Sequence, residues 1–150
     1  MLFHKKRPHI PWFWIIVVIL LTIVIVVLLQ GRQSRERDLR RLADLKQMQT
    51  MLHYHYELYE TYPTINQFTC FSDIEGLFEA LVPWLVTLPQ DPLAGLEPDE
   101  PKKGCYNYRS DGQEFKLRAA LEKNNFSMEQ DGGASSEWFE LYSTGARDWK

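Results

Sequence analysis

The sequence lacks the short motifs that usually mark a catalytic or cofactor site. It has no phosphate-binding glycine loop and no Gly-x-Ser-x-Gly nucleophile turn. Its two cysteines do not form a Cys-x-x-Cys pair, and no histidine lies at ligand spacing from them. His53 and His55 are two positions apart, so a helix would point them to different sides, as expected of surface or interface histidines. We therefore expect no enzyme activity and no catalytic, cofactor or metal residues.

Acidic residues are absent before Glu36 and plentiful later. The net charge of the 150 residues is only -3, and beyond Gln47 the acids outnumber the bases. An acidic globular part argues against a nucleic-acid partner, which needs a basic face. The early basic residues flank an apolar run, where the anionic headgroups of a lipid bilayer are the simpler partner. These basic residues are Lys5, Lys6 and Arg7 before the run and Arg32, Arg35, Arg37, Arg40 and Arg41 after it.

Residues 10–30 form the long apolar run, and we interpret them as a transmembrane helix. Between residues 15 and 29 the only polar side chain is Thr22, whose hydroxyl can bond back to the preceding turn. A run of about 20 residues gives roughly 30 Å of helix, which matches the hydrocarbon thickness of a bilayer. A cleaved signal peptide would have a shorter apolar core and a small-residue cleavage site. A buried core helix would need a larger domain to cover it.

The apolar run divides the chain into three parts. Residues 1–9 are a basic N-terminal flank, residues 10–30 the transmembrane helix, and residues 31–150 one soluble domain, because about 120 residues suffice for one domain and not two. Aromatic and basic side chains favour the level of the lipid headgroups. The expected membrane-interface anchors are Trp12, Trp14, Lys5, Lys6 and Arg7.

Two conflicting signals indicate which side of the membrane the soluble domain faces. The C-terminal flank of the run is at least as basic as the N-terminal one, so the positive-inside rule alone favours a cytoplasmic domain. Part of that charge is paired with Glu36, Asp38 and Asp44, however. Cys70 and Cys105 could form a disulfide across two loops, which needs an oxidising compartment, or they could be two free thiols. We expect a single-pass membrane protein with an extracytoplasmic domain.

Apolar spacing in the soluble part predicts one long helix over residues 33–62. Its apolar stripe lies on one side, and Arg, Asp, Lys and Gln residues fill the other. Gly31 is a point at which a longer continuous helix could bend or be interrupted. Pro63 ends the helix, because the residue before a proline is pushed out of the α conformation. The stripe consists of Leu39, Leu42, Leu45, Met48, Leu52, Tyr56 and Tyr59.

The rest of the sequence predicts a second, short helix and three strands. Ser72 and Glu75 form a capping-box pattern at the start of the short helix, and Pro83 breaks it near its end. Residues 105–109, 114–121 and 138–142 alternate as strands do, and Ser110-Asp111-Gly112 is a hairpin turn signal. The polar residues 122–136 are predicted to form a loop. An antiparallel sheet that covers the helix stripe gives an α+β fold.

The order of these pieces resembles the type IV pilin-like proteins, and among them the major pseudopilins of type II secretion. The similarity covers residues 37–146. It rests on Arg37-Asp38-x-x-Arg41-x-Ala43-Asp44-Leu45-x-x-Met48, Tyr62-Pro63, Leu88-Pro89-x-Asp91-Pro92, Tyr106-x-Tyr108-Arg109-Ser110-Asp111-Gly112 and Phe139-Glu140-Leu141-Tyr142-Ser143-x-Gly145-Ala146. The resemblance implies a long N-terminal helix whose second half packs on a C-terminal sheet. It also implies assembly into pili or short secretion pseudopili.

Two features of the pilin pattern differ here. Family precursors carry a basic leader that ends in Gly and a Glu at the fifth mature position, whereas no Gly precedes this apolar run and no acid lies within it. We therefore expect an unprocessed, permanently anchored chain. The family's calcium loop would draw on Asp131, Asp111 and Asp148, although calcium needs six or more oxygens and solvated loop acids are the ordinary interpretation.

The leading hypothesis is a structural or assembly component of a type IV pilus-like or type II secretion-like apparatus. Its expected partners are the lipid bilayer and either copies of itself or other pilin-like subunits. The alternative is a membrane-tethered binding module that derives from a pilin and does not polymerise. Four tyrosines could form a partner surface or could be half core and half boundary; they are Tyr54, Tyr56, Tyr59 and Tyr62.

Overall fold

The computed structural model describes residues 12–96 and 104–150 of the chain. The expected anchors Lys5, Lys6 and Arg7 lie outside these residues. The chain divides into two compact units, of which the first ends at Ser34 and the second comprises residues 35–150. In the second unit the long helix packs against a four-stranded antiparallel sheet. This arrangement confirms the predicted α+β class.

Helix α1 spans Trp12–Tyr59 and has 48 residues. It continues through Gly31 rather than being interrupted there. It ends three residues before the predicted Tyr62, because Glu60 adopts a left-handed conformation with φ of 56°. The backbone N–H of Tyr62 then donates to the carbonyl of Gly112 at 2.8 Å, so the chain is already paired with a turn of the sheet at this point.

The buried face of α1 differs from the predicted stripe at both ends. Leu45, Met48 and Leu52 are fully buried, as predicted, but Leu39 and Tyr59 are more than half exposed. About one and two helical turns before Leu45, the buried residues are Arg41 and Asp38, which contradicts the expectation that charged residues fill only the outer face. The buried face follows one spacing of three and four residues through Ser34, Asp38, Arg41, Leu45, Met48, Leu52 and His55.

The long connection between the first strand (Ile65–Cys70) and the second strand (Asn107–Ser110) contains a single turn of 3₁₀ helix and the short helix α2. Helix α2 spans Leu77–Leu81, and Gly76 precedes it with φ of 79°. The predicted capping box is wrong, because Ser72 lies in the 3₁₀ turn and its hydroxyl donates to the side chain of Asp73 at 2.9 Å. A left-handed glycine sets the start of α2 instead, since no side chain caps it.

The sheet is a four-stranded antiparallel meander in the order β1-β2-β3-β4. The strands are β1 (Ile65–Cys70), β2 (Asn107–Ser110), β3 (Phe115–Ala119) and β4 (Phe139–Tyr142). Tyr108 pairs with Leu117, and Leu117 pairs with Leu141, which aligns their side chains toward α1. The predicted hairpin turn between β2 and β3 is confirmed. The sequence prediction missed β1, a polar strand whose register shifts between Ile65 and Thr69.

A third helix, α3, spans Asn125–Gln130 within the segment that was predicted to be a loop. Asn124 caps it, because its side chain accepts a hydrogen bond from the backbone of Ser127. Met128 of this helix is buried in the core. The core of the second unit thus lies between α1 and one face of the sheet, with α2 and α3 at its margins.

Candidate functional site

The N-terminal part of α1 is apolar on all sides. Every large apolar side chain of residues 12–29 is exposed, except the half-buried Val17. The helix is long and apolar enough to cross a membrane. Thr22, the polar residue of this stretch, donates its hydroxyl to the carbonyl of Ile19 at 2.7 Å, so its polar group is satisfied within the helix. Trp12 and Trp14 lie in the first turn and are 78% and 58% exposed.

The two histidines of α1 have different surroundings. His53 is exposed, and its ring contacts the edge of Phe115. His55 is buried, which corrects its interpretation as a surface histidine. Its Nδ1 lies 2.7 Å from the carbonyl oxygen of Thr61, so this nitrogen carries the proton. Within residues 12–96 and 104–150, no group of three or more His, Cys, Asp or Glu side chains could hold a metal ion.

Arg41 is the centre of a buried ion network. Its side chain is fully buried and donates to Asp38 at 2.9 Å, to Asp91 at 2.7 and 3.0 Å, and to Glu122 at 2.8 Å. Arg37 donates to the same Glu122 at 2.6 and 2.8 Å. Burial lowers the pKa of Arg41, but the hydrogen bonds with Asp91 and Glu122 outweigh it and raise the pKa above its ordinary value.

The carboxylates of this network also hold the backbone of two loops. Asp38 accepts hydrogen bonds from the N–H groups of Glu122 and Lys123, both at 2.8 Å. Asp91 accepts one from the N–H of Leu93 at 2.8 Å. The network therefore fixes the loop before residue 96 and the loop after β3 to the same two turns of α1. Its geometry is structural, since the donors and acceptors satisfy each other.

Cys70 and Cys105 form a disulfide, with their Cα atoms 5.6 Å apart. Cys70 is the last residue of β1, and Cys105 lies two residues before β2. The pair lies beside the last register pair of these strands, Cys70 with Asn107. The disulfide ties the ends of the segment that contains α2 to the edge of the sheet. The two bonded residues are both of the cysteines in the sequence.

Lys116 lies on the face of the sheet opposite α1 and is nevertheless fully buried. Its ammonium group donates to Glu140 at 3.2 Å and to the carbonyl oxygens of Arg147 and Trp149 at 2.6 and 2.8 Å. Glu140 also accepts a bond from the backbone N–H of Ala134 at 2.6 Å. This set of oxygens around one cation fixes the C-terminal segment to β3 and β4.

The three acids considered for a calcium loop do not form a joint site. Asp111 accepts bonds from the N–H groups of Gln113 and Glu114 in the β2–β3 turn, which lower its pKa. Asp131, at the end of α3, accepts bonds from the N–H groups of two other residues. Burial raises the pKa of Asp131. Asp148 is an exposed residue of the C-terminal segment.

The same outer face of the sheet carries a stack of arginine and aromatic side chains. The Arg118 guanidinium lies 3.6 Å from the ring centre of Phe68 and 4.4 Å from that of Trp138. Arg109 lies 5.7 Å from the Phe68 ring and 4.7 Å from the Trp149 ring. We name these five side chains the arginine–aromatic stack. Cation–π contacts of this kind hold a guanidinium in place without using its N–H donors.

Arg118 has no hydrogen-bond partner within the described part of the chain, and its Nε is shielded from solvent. Glu140 is its neighbour across the β3–β4 ladder and attracts it electrostatically, but no hydrogen bond joins them; Lys116 and the N–H of Ala134 both donate to Oε2 of Glu140. Burial lowers the pKa of Arg118. A cation that is desolvated but unpaired can gain more from an incoming anion than a solvated one.

A second exposed group is apolar and lies at the end of α1. Tyr54 and Trp84 are in ring contact at 6.4 Å, and Val82 and Val86 are 50% and 90% exposed beside Trp84 in the chain. Leu58 is one turn after Tyr54 and is 62% exposed. Of the four tyrosines that the sequence singled out, only Tyr54 and Tyr59 are exposed, whereas Tyr62 is in the core.

The arginine–aromatic stack and the Lys116 site were not predicted from the sequence. Alternation placed Lys116 and Arg118 on the outer face of β3, and such residues are normally solvated. The sequence offered one signal for the stack, which was the presence of aromatic residues in otherwise polar segments. These residues are Phe68, Trp138 and Trp149. The missed strand β1 and the unassigned C-terminal segment supply two of these three rings.

Comparison with protein-family models, with curated proteins and with solved structures finds no match to this chain.

Proposed function

We propose that this protein is a membrane-anchored, pilin-like subunit that belongs to a type IV pilus-like or type II secretion-like apparatus. One observation carries the proposal: a single helix, α1, is apolar and exposed on all sides over residues 12–29 and then packs one face into an α+β domain. A helix that is apolar all round needs lipid or other helices around it, because water would have to solvate its whole surface.

The anchor is the best-supported part of this function. About 20 apolar residues match the thickness of a bilayer. The backbone groups of this segment are satisfied within the helix, which a lipid environment requires. The Thr22 hydroxyl likewise donates a hydrogen bond within the helix, so the polar side chain of residues 15–29 does not need water as a partner. Trp12 and Trp14 suit one interface of the bilayer.

The disulfide supports an extracytoplasmic position of the folded domain. Disulfides persist in oxidising compartments and are rare in the cytosol. The pair Cys70–Cys105 is therefore the feature that favours the outer side over the cytoplasmic side, against the weak opposite signal of the arginines after the apolar run.

Topology is tested by adding protease to intact spheroplasts that carry the full chain. We expect the epitope at the C-terminus to be lost while a cytoplasmic control protein survives. An epitope that is degraded only after lysis would place the domain in the cytoplasm and remove the pilin-like assignment.

Assembly is tested by photo-crosslinking in native membranes. A photoreactive residue in place of Leu28, which is 63% exposed, would report lateral helix contacts. A ladder of self-adducts is expected if the chain assembles. The same group in place of the fully buried Leu117 is the matched control and should give no adducts. A single adduct with a different protein would support the second candidate function.

That second candidate is a tethered binding module that does not polymerise. Two observations favour it. Residues 15–29 contain no glycine, alanine or serine that would let two helices approach closely. The domain also carries Arg118 without a hydrogen-bond partner among the described residues, held between Phe68 and Trp138.

A further inference from the structure

We infer that the arginine–aromatic stack on the outer face of the sheet is a docking site for a protein segment that presents a single carboxylate to Arg118. The inference concerns the partner chemistry of the soluble domain and holds whether or not the chain assembles. It starts from the geometry around one guanidinium, which two rings hold between them at 3.6 and 4.4 Å.

The positioning of Arg118 leaves its hydrogen-bonding groups unused. The Phe68 and Trp138 rings both contact the guanidinium, and its buried Nε has no acceptor among the described residues. A guanidinium that ring contacts hold in place is pre-organised for a carboxylate, because its N–H donors match the two carboxylate oxygens. Most of the side-chain entropy that binding normally costs has already been lost in the folded domain.

The acid opposite Arg118 in the sheet does not take this role. Glu140 faces Arg118 across the ladder, but its carboxylate is held by the Lys116 ammonium and by the N–H of Ala134. The Lys116–Glu140 pair is thus satisfied without Arg118. The charge of Glu140 attracts Arg118, but no hydrogen bond joins the two side chains, so the N–H donors of Arg118 remain available to a ligand.

The surface beside Arg118 has room for an extended segment. Two open grooves, of about 360 and 550 Å³, share Arg118 and Trp138 in their walls. Phe68 lines one groove and Trp149 lines the other. A segment that crosses both grooves would place its carboxylate at Arg118 and its apolar side chains against the aromatic rings.

The charges around the stack select a protein carboxylate over a nucleic acid or an anionic polymer. Asp73 lines one groove, and Glu137 and Glu140 line the other. These acids would repel a dense row of phosphates, whose binding requires an accumulation of Lys and Arg. A single carboxylate needs only one cation, which Arg118 provides, and Arg109 lies 5.7 Å from the same Phe68 ring.

A matched pair of fluorescein-labelled peptides tests the inference on the full chain in detergent micelles. One peptide has a central glutamate between apolar residues, and the other has glutamine in its place. We expect the glutamate peptide to bind about tenfold more tightly by fluorescence anisotropy, the size of one charge-assisted contact. Equal binding of the two peptides to the wild-type chain would overturn the inference.

Variants identify the residue that makes the difference. Arg118→Gln should remove the preference for glutamate, whereas Arg40→Gln, which removes the same charge from a side chain that is 65% exposed, should retain it. Loss of the preference in both variants would show general electrostatic attraction and reject the site. Arg118→Lys keeps the charge and the stem but lacks the planar fork, so we expect it to lower the preference to below about threefold. If Arg118→Gln does not fold, the peptide preference of Arg118→Lys tests the site instead.

Discussion

Arg41 and Asp91, 50 residues apart in the sequence, form a doubly hydrogen-bonded ion pair in which both side chains are almost completely buried. The pair joins α1 to the loop after α2. A buried pair of this kind contributes little net energy over a well-packed apolar pair, but breaking it leaves an uncompensated charge in the interior. Its consequence for stability can therefore be measured by removing one partner.

Replacing Arg41 with alanine should destabilise the domain by about 3–5 kcal/mol, because Asp38 and Asp91 would remain buried without their cation. Chemical unfolding of the full chain in detergent, followed by tryptophan fluorescence, measures the change. Arg40→Ala is the matched control. Its side chain is 65% exposed and lies 3.8 Å from Asp44, so it should cost less than about 1 kcal/mol. A cost below about 1 kcal/mol for Arg41→Ala would contradict the buried network.

Reduction of the Cys70–Cys105 disulfide should lower the free energy of unfolding by about 3–4 kcal/mol. The bond spans 35 residues and restricts the unfolded chain by that loop. Denaturant midpoints with and without a thiol reductant measure the effect. In the double variant Cys70→Ser, Cys105→Ser the reductant should change nothing, which separates the disulfide from other actions of the reductant. An unchanged midpoint in the wild-type chain would show that the disulfide is absent.

Calcium should not stabilise the domain. Lys116 already occupies the set of oxygens formed by Glu140 and the carbonyls of Arg147 and Trp149, and a second cation there would be repelled. The thermal midpoint should be the same in millimolar calcium and in EDTA. A calcium-dependent rise of several degrees would contradict this expectation, and it would point to a loop that holds the metal independently of Lys116.

The fold class could be predicted because the helices and strands that pack on an apolar surface show the periodicity of their apolar residues in the sequence. The spacing of Leu45, Met48 and Leu52 predicted the packed face of α1, and alternation predicted β3. The same spacing continues through Asp38 and Arg41, but the sequence does not predict their burial, because charged residues are normally solvated. Only the partners that the tertiary fold supplies, such as Asp91, allow them to be buried.

The candidate site could not be predicted for a related reason. Arg118 is distinguished by its two ring neighbours and by an Nε without an acceptor among the described residues. The rings of Phe68 and Trp138 come from segments 50 residues before it and 20 residues after it. Strand β1, which carries Phe68, has a polar sequence and an irregular register, so no alternation marks it. The same fold-dependent placement buries Lys116 beside Glu140 on the outer face of the sheet.

The acid dependence of stability should contain two opposing contributions. Hydrogen bonds from the N–H groups of Glu114 and Gln113 lower the pKa of Asp111 below its ordinary value of 3.8. Its contribution is therefore present above pH 3.8 and is lost as the pH falls through the lower, folded-state pKa. Burial raises the pKa of Asp131, so its contribution has the opposite sign and declines as the pH rises above 3.8.

Asparagine variants separate the two contributions, because asparagine retains an acceptor oxygen but does not titrate. Unfolding free energies of the Asp111→Asn chain should fall less steeply than those of the wild-type chain on acidification from neutral pH to below 3.8. Those of the Asp131→Asn chain should fall more steeply, since the opposing contribution is removed. Carboxyl chemical shifts measured by NMR provide the individual pKa values. If Asp131 titrated below Asp111, the hydrogen bonds from the N–H groups of Gly133 and Glu140 would outweigh the burial of Asp131, contrary to the expected raised pKa.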